Sequence, residues 1–362
     1  MIRLNRTSIS DAYGIVFLTF LFLSSTTVYS TDLPHAEQQP LAGNSLLLDI
    51  SKTENGWVAV GERGHVLLSS DGENWQQAQS VPTKSTLTSV FSQQGSLWAV
   101  GHDAVILHSS DGGNNWVSQS QDNEGDAFMD VIFLTQNHGF AIGAYGMLME
   151  TTDAGKSWES RDLNTDTIEP LFDPEASVSE VDEDDYMAQF ADLGCYEMLE
   201  CHLNAIVALP GNRLLMMGER GFGFRSSDSG KTWQAVRLPY EGSMFGAIVV
   251  NSNCVLTFGL RGNAFQSCDF GANWEQVHTG TVATLMGGTL NRRQLVLVGA
   301  SGTVVSGLEG DLALSARTLE SGVDYTAVTN AGRGGGYLLT STAGVTMIDD
   351  PANAQQDAGE QQ

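Results

Sequence analysis

Three arginines occupy equivalent positions in a loop that recurs along the chain. Arg63 and Arg220 each stand in the sequence GERG, and Arg261 stands in GLRG. A planar guanidinium group forms paired hydrogen bonds with carboxylates and phosphates, so this recurrence predicts a surface that binds an anionic segment of a partner. Each arginine could instead pair with a nearby acid, such as Glu62 or Glu219, and contribute only to solubility.

The sequence contains no recognisable catalytic motif. The GxxG loops lack the strand-to-helix context of a dinucleotide site, and neither a nucleophile elbow nor a metal-ligand spacing is found. Glycoside hydrolysis needs two nearby carboxyl groups or a Tyr and Glu pair. With 43 acidic residues, two carboxyl groups could lie close together by chance. We therefore expect no enzymatic activity, no metal and no cofactor, with a glycoside hydrolase or a carbohydrate-binding protein as the alternative.

Composition narrows the class of partner. The 362 residues include 17 Lys and Arg against 43 Asp and Glu, for a formal charge of −26. Nucleic-acid binding is disfavoured, because it needs a concentrated cationic surface that so few cations cannot supply. A hydrophobic content of 41% is that of a folded globular protein.

The first thirty residues resemble a secretory signal peptide, 1–30. Arg3 and Arg6 precede a compact apolar run, GIVFLTFLFL at 14–23, which is about half the length needed to span a bilayer. We expect an exported protein, periplasmic or secreted, that is monomeric and does not insert into the membrane after cleavage. A retained N-terminal membrane anchor is the alternative.

A motif of the form S/T-x-D-x-G-x-x-W, here called the box, occurs four times, with a shortened fifth copy at 69–75. Its aspartates are Asp71, Asp111, Asp153, Asp228 and Asp269, and its tryptophans are Trp75, Trp116, Trp158, Trp233 and Trp274. The aspartates are 40, 42, 75 and 41 residues apart. One repeat is thus about 41 residues long, and the long interval contains an insertion.

The GxxG loops give a second measure of the repeat. A glycine stands ten residues before each box aspartate, and the same loop recurs at Gly299 and, with serine first, at Ser341. Counted by these loops, the chain contains seven repeats. Within the second repeat, short β-forming runs at 87–92, 97–101, 105–109 and 116–120 are separated by Gly, Asn and Ser turns.

Four strands per repeat of this length predict an all-β, seven-bladed propeller of four-stranded antiparallel blades. The domain spans 31–350, with an acidic insertion at 163–202 between blades three and four and a polar tail at 351–362. The last repeat lacks a fourth strand, so we expect residues 33–42 to pair with it and close the ring.

Structural roles are expected for the box residues. The aspartate can accept hydrogen bonds from its own turn, the glycine can adopt a positive φ, and the tryptophan can pack between blades. Bound calcium is the alternative. Because turns of a meander alternate ends, the GxxG loops and the inter-blade connections should share the face opposite the boxes. Arg220 and Arg261 should then be neighbours, with Arg63 across the channel.

The repeated box resembles the Asp-box (BNR) repeat of sialidases, some glycoside hydrolases and sortilin-type receptors. The longer unit, for example LWAVGHDAVILHSSDGGNNW at 97–116, is most similar to the photosystem II stability/assembly factor family. The resemblance covers about 46–348. It implies a non-catalytic propeller that binds subunits of a membrane protein complex or other envelope proteins, and an arginine patch directed at that partner. The Arg-Ile-Pro element of sialidases is absent from the sequence.

The acidic insertion and the four cysteines allow two further predictions. Residues 173–185 carry seven acids and no base, which suggests either a lid beside Arg220 or a solvated loop. Cys254 and Cys268 lie seven residues either side of Arg261, so a regular hairpin places them opposite each other. Cys195 and Cys201 could close the insertion in the same way. Four free thiols are the alternative.

Overall fold

The computed structural model describes residues 34–163, 201–332 and 335–351. The predicted signal peptide, most of the acidic insertion and nearly all of the tail lie outside these ranges. Seven antiparallel sheets are present, each formed by consecutive strands of one repeat. Within the described ranges no helix has the length and apolar character needed to cross a bilayer. The predicted all-β, seven-bladed propeller is confirmed.

Blades one to four each contain four strands. Blade one comprises β1 Leu47–Thr53, β2 Gly56–Gly61, β3 Val66–Ser69 and β4 Gln76–Gln77; blade two comprises β5 Leu87–Gln93, β6 Ser96–Gly101, β7 Ile106–Ser109 and β8 Val117–Ser120; blade three comprises β9 Phe128–Phe133, β10 Gly139–Gly143, β11 Leu148–Thr151 and β12 Glu159–Ser160; blade four comprises β13 Leu203–Leu209, β14 Arg213–Gly218, β15 Phe222–Ser226 and β16 Gln234–Arg237.

Blades five and six also have four strands, whereas three are described for blade seven. Blade five comprises β17 Met244–Val249, β18 Val255–Gly259, β19 Ala264–Ser267 and β20 Glu275–Val277; blade six comprises β21 Leu285–Asn291, β22 Gln294–Gly299, β23 Thr303–Leu308 and β24 Ser315–Thr318; blade seven comprises β25 Tyr325–Asn330, β26 Tyr337–Ser341 and β27 Gly344–Ile348. Short 3-10 helices occur at Ala42–Asn44, Glu62–Gly64, Ala144–Gly146, Glu219–Gly221 and Leu260–Gly262.

The second strand of each blade forms the centre of the core. In β10, β18 and β26 every residue is buried, because both faces of the strand pack against neighbouring blades. A strand buried on both faces should carry a continuous apolar run rather than an alternating pattern. The sequence GFAIG of β10 and the sequence VLTFG of β18 are of this kind. Burial of these strands positions the loops at their ends.

In the described residues, side chains of the first strands join most blades to the next around the central channel. Five of the seven seams carry such a hydrogen bond: Asp49 accepts from Val90 N (2.8 Å), Thr88 donates to Phe128 O (2.7 Å), Asp130 accepts from Ile206 N (2.9 Å), Asn204 donates to Met244 O (2.9 Å) and Thr326 donates to Leu47 O (2.6 Å). The last of these joins blade seven to blade one. The first strands of these two blades also pack together, so the ring is closed.

The prediction that the N-terminal segment 33–42 pairs with blade seven as its closing strand is wrong. Residues 34–41 form no strand and lie along blade one instead, where Ala36 N donates to Val81 O and Gln38 Nε2 donates to Ala78 O. Pro34 and Pro40 have no backbone N–H to give to a ladder, which explains why this segment does not extend a sheet. Only the 3-10 turn Ala42–Asn44 reaches blade seven, where it packs on the start of β27.

The three described cysteines are oxidised. Cys254 and Cys268 form a disulfide between the end preceding β18 and the end following β19, with their Cα atoms 4.0 Å apart. Cys201 is also disulfide-bonded, while Cys195, its expected partner, lies outside the described residues.

Candidate binding face

The GxxG loops have the same backbone conformation in successive blades. Their third residue takes a left-handed conformation in Arg63 (φ 57°), Arg220 (φ 55°) and Arg261 (φ 58°), and Tyr145 adopts it in blade three (φ 53°). Such a conformation is unfavourable for a residue with a Cβ atom and persists only where the surroundings impose it. It presents the third side chain at the tip of each loop.

The fourth loop residue explains why the turn is imposed. A Cβ atom on Gly64 would collide with the carbonyl oxygen of Thr83, and one on Gly262 would collide with that of Thr281. These carbonyls belong to the chain segment that leads into the next blade. Each loop is therefore pressed against an inter-blade connection, and only glycine permits this approach.

The loops are also hydrogen-bonded to the connection that enters their own blade. In all seven blades the amide of the second loop residue donates to a carbonyl just before the first strand, at 2.9–3.1 Å: Glu62 to Leu46, His102 to Thr86, Ala144 to Ala127, Glu219 to His202, Leu260 to Ser243, Ala300 to Thr284 and Thr342 to Asp324. Loops and connections thus share one face of the ring, which we call the GxxG face. The box turns, one strand further along, lie at the opposite end.

The neighbouring acids are engaged with the backbone. Glu62 Oε1 accepts from Leu46 N at 3.4 Å, and Glu219 Oε2 accepts from His202 N at 3.0 Å. Glu219 Oε1 also lies 3.9 Å from Nδ1 of His202. These carboxylates help to position the incoming connection.

Two of the three arginines are available for a ligand. Arg63 and Arg261 are exposed, and neither forms an ion pair within 4 Å with another residue in the described ranges. Arg261 also lines a surface cavity of about 640 Å³ together with His278, Thr281 and Val282. Arg220 is partly buried and has an interaction partner.

Exposed apolar side chains accompany the arginines on blades three to five. Tyr145 is 58% exposed, and its ring packs edge-on against the ring of His202 with 4.9 Å between the ring centroids. Val282 is 86% exposed. The third loop positions of three successive blades are therefore Tyr145, Arg220 and Arg261, which we call the docking arc. Tyrosine and arginine are the residues enriched at the energetic centres of protein interfaces. Arg63 lies on blade one, three blades from either arginine of the arc.

Two channel aspartates were missed by the sequence reasoning. Asp49 and Asp130 are the third residues of β1 and β9. The Oγ atom of Ser89 lies between them, 3.2 Å from Asp49 Oδ2 and 2.9 Å from Asp130 Oδ1, and its hydroxyl donates to one of them at a time. Burial raises the pKa of both, and the neighbouring Asp49 contributes to raising the pKa of Asp130 to about 7. Aligning the first strands of the repeats could have found them, since the equivalent positions elsewhere are Ser89, Ala205, Gly246, Gly287 and Ala327.

The boxes form closed turns on the far face. The hydroxyl of the first box residue donates to the aspartate, and the aspartate accepts an amide from two to four residues further on, in all five copies: Asp71, Asp111, Asp153, Asp228 and Asp269. Trp116 and Trp233 are buried in clusters that contain residues of two blades. Trp75, Trp158 and Trp274 are partly buried. In the described ranges no group of three His, Cys, Asp or Glu side chains could hold a metal ion.

Comparison with known proteins places the chain among propellers. Residues 44–181 match the DUF6242 beta propeller domain. No curated protein sequence matches the chain.

Solved propellers have a similar fold at low identity. A structure described as YCF48 bound to D1 peptide has a TM-score of 0.62 and 14% identity, covering 88% of this chain and 96% of that one. YCF48 from Cyanidioschyzon merolae gives a TM-score of 0.62 and 17% identity, with coverages of 88% and 99%. The WD40 propeller domain of Doa1 has a TM-score of 0.59 and 13% identity, covering 87% of this chain and 96% of that one. At these identities the similarity concerns the fold.

Proposed function

We propose that this protein is an exported, non-catalytic scaffold that binds a protein partner on its GxxG face and supports the assembly or function of a membrane protein complex. The observation that carries the proposal is the docking arc, which brings Tyr145, Arg220 and Arg261 together on adjacent blades. On a chain of charge −26, the exposed guanidinium group of Arg261 makes this arc suited to a partner segment that presents carboxylates.

The similar fold of YCF48, whose structure was solved with a D1 peptide, supports peptide binding by such a ring. Photosystem II assembly factors are the family that the repeat resembles, and the proposal extends their kind of role to this chain. Export depends on the predicted signal peptide, 1–30. Fusion of residues 1–30 to a reporter and fractionation of the envelope tests it: recovery of the reporter only in the cytoplasm contradicts export.

The docking arc can be tested by charge reversal. The double variant Arg220→Glu/Arg261→Glu should reduce recovery of cross-linked partners from membrane extract at least about tenfold, because like charges then face the partner. Lys156→Glu/Lys231→Glu is the matched control, with the same charge change on exposed box turns at the opposite face. Equal recovery by both variants would refute docking at the arc.

A hydrolase is the second candidate, because Asp49 and Asp130 supply two neighbouring carboxyl groups. All four carboxylate oxygens already accept backbone amides, from Ile50, Val90, Val131 and Ile206. This bonding favours a role in joining strands over proton transfer. Release of sugar from aryl glycosides or sialosides by the purified protein, abolished in Asp130→Asn, would establish the hydrolase instead.

A further inference from the structure

The centre of the ring contains a cavity of about 230 Å³ that is lined by the first strand of every blade. These strands begin at the connections on the GxxG face, so their second residues surround the end of the cavity nearest that face. Phe245 is 38% exposed there, and Leu48, Met129 and Met286 are partly exposed. They form an apolar collar.

The three polar side chains at the same level contribute little to the collar. Thr88, Asn204 and Thr326 each donate a hydrogen bond to a backbone carbonyl of the next blade. Their hydrogen-bond donors are therefore used within the channel wall and are not offered to a ligand. The collar offers a ligand mainly hydrocarbon and thioether surface, which fits an unbranched aliphatic chain.

The wall below the collar is polar on one side and is lined by small residues on the other. Asp49, Ser89 and Asp130 lie on blades one to three, whereas the equivalent residues of blades four to seven are alanine or glycine. The small residues leave open space opposite the two carboxylates.

The carboxylates retain the capacity to bind. Asp49 and Asp130 each accept two hydrogen bonds from backbone amides, and the single hydroxyl hydrogen of Ser89 is donated to one of the two carboxylates at a time. An ionised carboxylate has about four acceptor positions, so each keeps at least one. Among the described residues that line the cavity, Asp49 and Asp130 are the only titratable or charged groups.

We infer that the channel binds a lysine side chain of a protein partner, with its methylenes in the collar and its ammonium group between Asp49 and Asp130. The aliphatic stem of the ligand matches the apolar collar, and its cation matches the pair of carboxyl groups. The inference is independent of the docking arc, which recognises the opposite charge.

The binding should be linked to proton release. Burial and mutual repulsion keep one proton on the carboxyl pair near neutrality, with the pKa of Asp130 raised to about 7. An ammonium ion stabilises the fully ionised pair and displaces that proton. Affinity should therefore rise about tenfold between pH 6 and pH 8.

The test uses n-butylammonium, which has the length of a lysine side chain, and protein labelled with ¹³C in its methionine methyl groups. Saturable shifts of the Met129 and Met286 signals are expected, with a dissociation constant of about a millimolar for so small a ligand. N-acetyl-lysine methylamide should bind at least as tightly, and 1-butanol about tenfold more weakly. Absence of saturation by n-butylammonium at about 50 mM, or failure of the blocked lysine to bind, overturns the inference.

Two channel variants identify the site, and a third variant serves as a control. Asp49→Asn/Asp130→Asn should weaken n-butylammonium binding at least about tenfold and abolish its pH dependence. Should that variant not fold, Met286→Lys provides a tethered ammonium that should block the probe while the carboxylates remain. Arg220→Glu/Arg261→Glu should bind the probe normally even if it has lost its partner, which separates this site from the docking arc. Unchanged affinity in the channel variants refutes the inference.

Discussion

Asp228 closes its turn through three hydrogen bonds. Its Oδ1 accepts from Ser226 Oγ and Thr232 N, and its Oδ2 accepts from Thr232 Oγ1, at 2.7–2.9 Å. Burial raises the pKa of Asp228, but these hydrogen bonds outweigh it and lower the pKa to about 2. Stabilisation of the charged form is present above about pH 4 and is lost as the pH falls towards 2.

Asp228→Ala should therefore destabilise the fold by about 1 kcal/mol, comparable to the loss of a helix-capping carboxylate. Urea unfolding at pH 7 measures the effect. Ser227→Ala is the control, because Ser227 is an exposed residue of the same turn. An equal effect of the two substitutions would show that the carboxylate does not hold the turn.

Asp130 should make stability depend on pH in the opposite direction. Its pKa in the folded protein is raised to about 7 by burial, whereas an unfolded aspartate has a pKa of about 4. The folded state therefore binds more protons between these values, so stability falls as the pH rises from about 4 to 7.

Asp130→Asn removes this dependence, so its stability relative to the unaltered protein should rise between pH 5 and pH 8. The difference in urea midpoint between the two proteins, measured from pH 5 to 8, isolates the contribution of Asp130 from that of the histidines. A difference that does not change with pH would contradict the raised pKa.

At the scale of the strands, the sequence was most informative where the repeats are regular. The predicted runs of the second repeat agree with β5 to β8 within one residue at each end, because Gly and Asn turns bound them. The arginine positions followed from the same loop spacing. Asp49 and Asp130 could not be found in this way, because they lie on first strands, outside the loops and boxes that define the repeat.

The N-terminal segment shows where the repeat no longer guides prediction. Residues 34–41 lie outside every repeat, so only the missing fourth strand of blade seven suggested their place. Glu37 forms an ion pair with Lys84, and Gln77 donates to the carbonyl of Glu37, which fixes the segment on blade one.

A chain that begins at Ala42 should therefore lose protection from hydrogen exchange at residues 76–84. Exchange measured by mass spectrometry should show little change in β25 to β27, because the turn that contacts blade seven is retained. Faster exchange confined to β26 and β27 would instead indicate that the segment covers blade seven.

For the whole molecule, the two ends of the ring have different chemistry. The box face is held by local hydrogen bonds within each turn, whereas the GxxG face carries side chains whose conformations are imposed by the connections. Seven equivalent loops allow residues at one position to vary while the backbone stays the same. The docking arc and the acidic side of the channel both arise from such variation, at different levels of the ring.

Closure of the ring can be measured with a matched pair of seams. Thr326 donates to Leu47 O across the seam between blades seven and one, and Thr88 donates to Phe128 O across the seam between blades two and three. Thr326→Val and Thr88→Val each remove one such hydrogen bond. Each also removes one hydroxyl contact within its own blade, to Thr340 Oγ1 at 2.9 Å and to Val100 O at 3.1 Å. If the closing seam is as strong as an internal one, both should destabilise the protein by about 1 kcal/mol in a single unfolding transition. A blade-seven seam that opens independently would leave the main transition of Thr326→Val unchanged while Thr88→Val shifts it, and the first and last blades would then not act as neighbours in one cooperative unit.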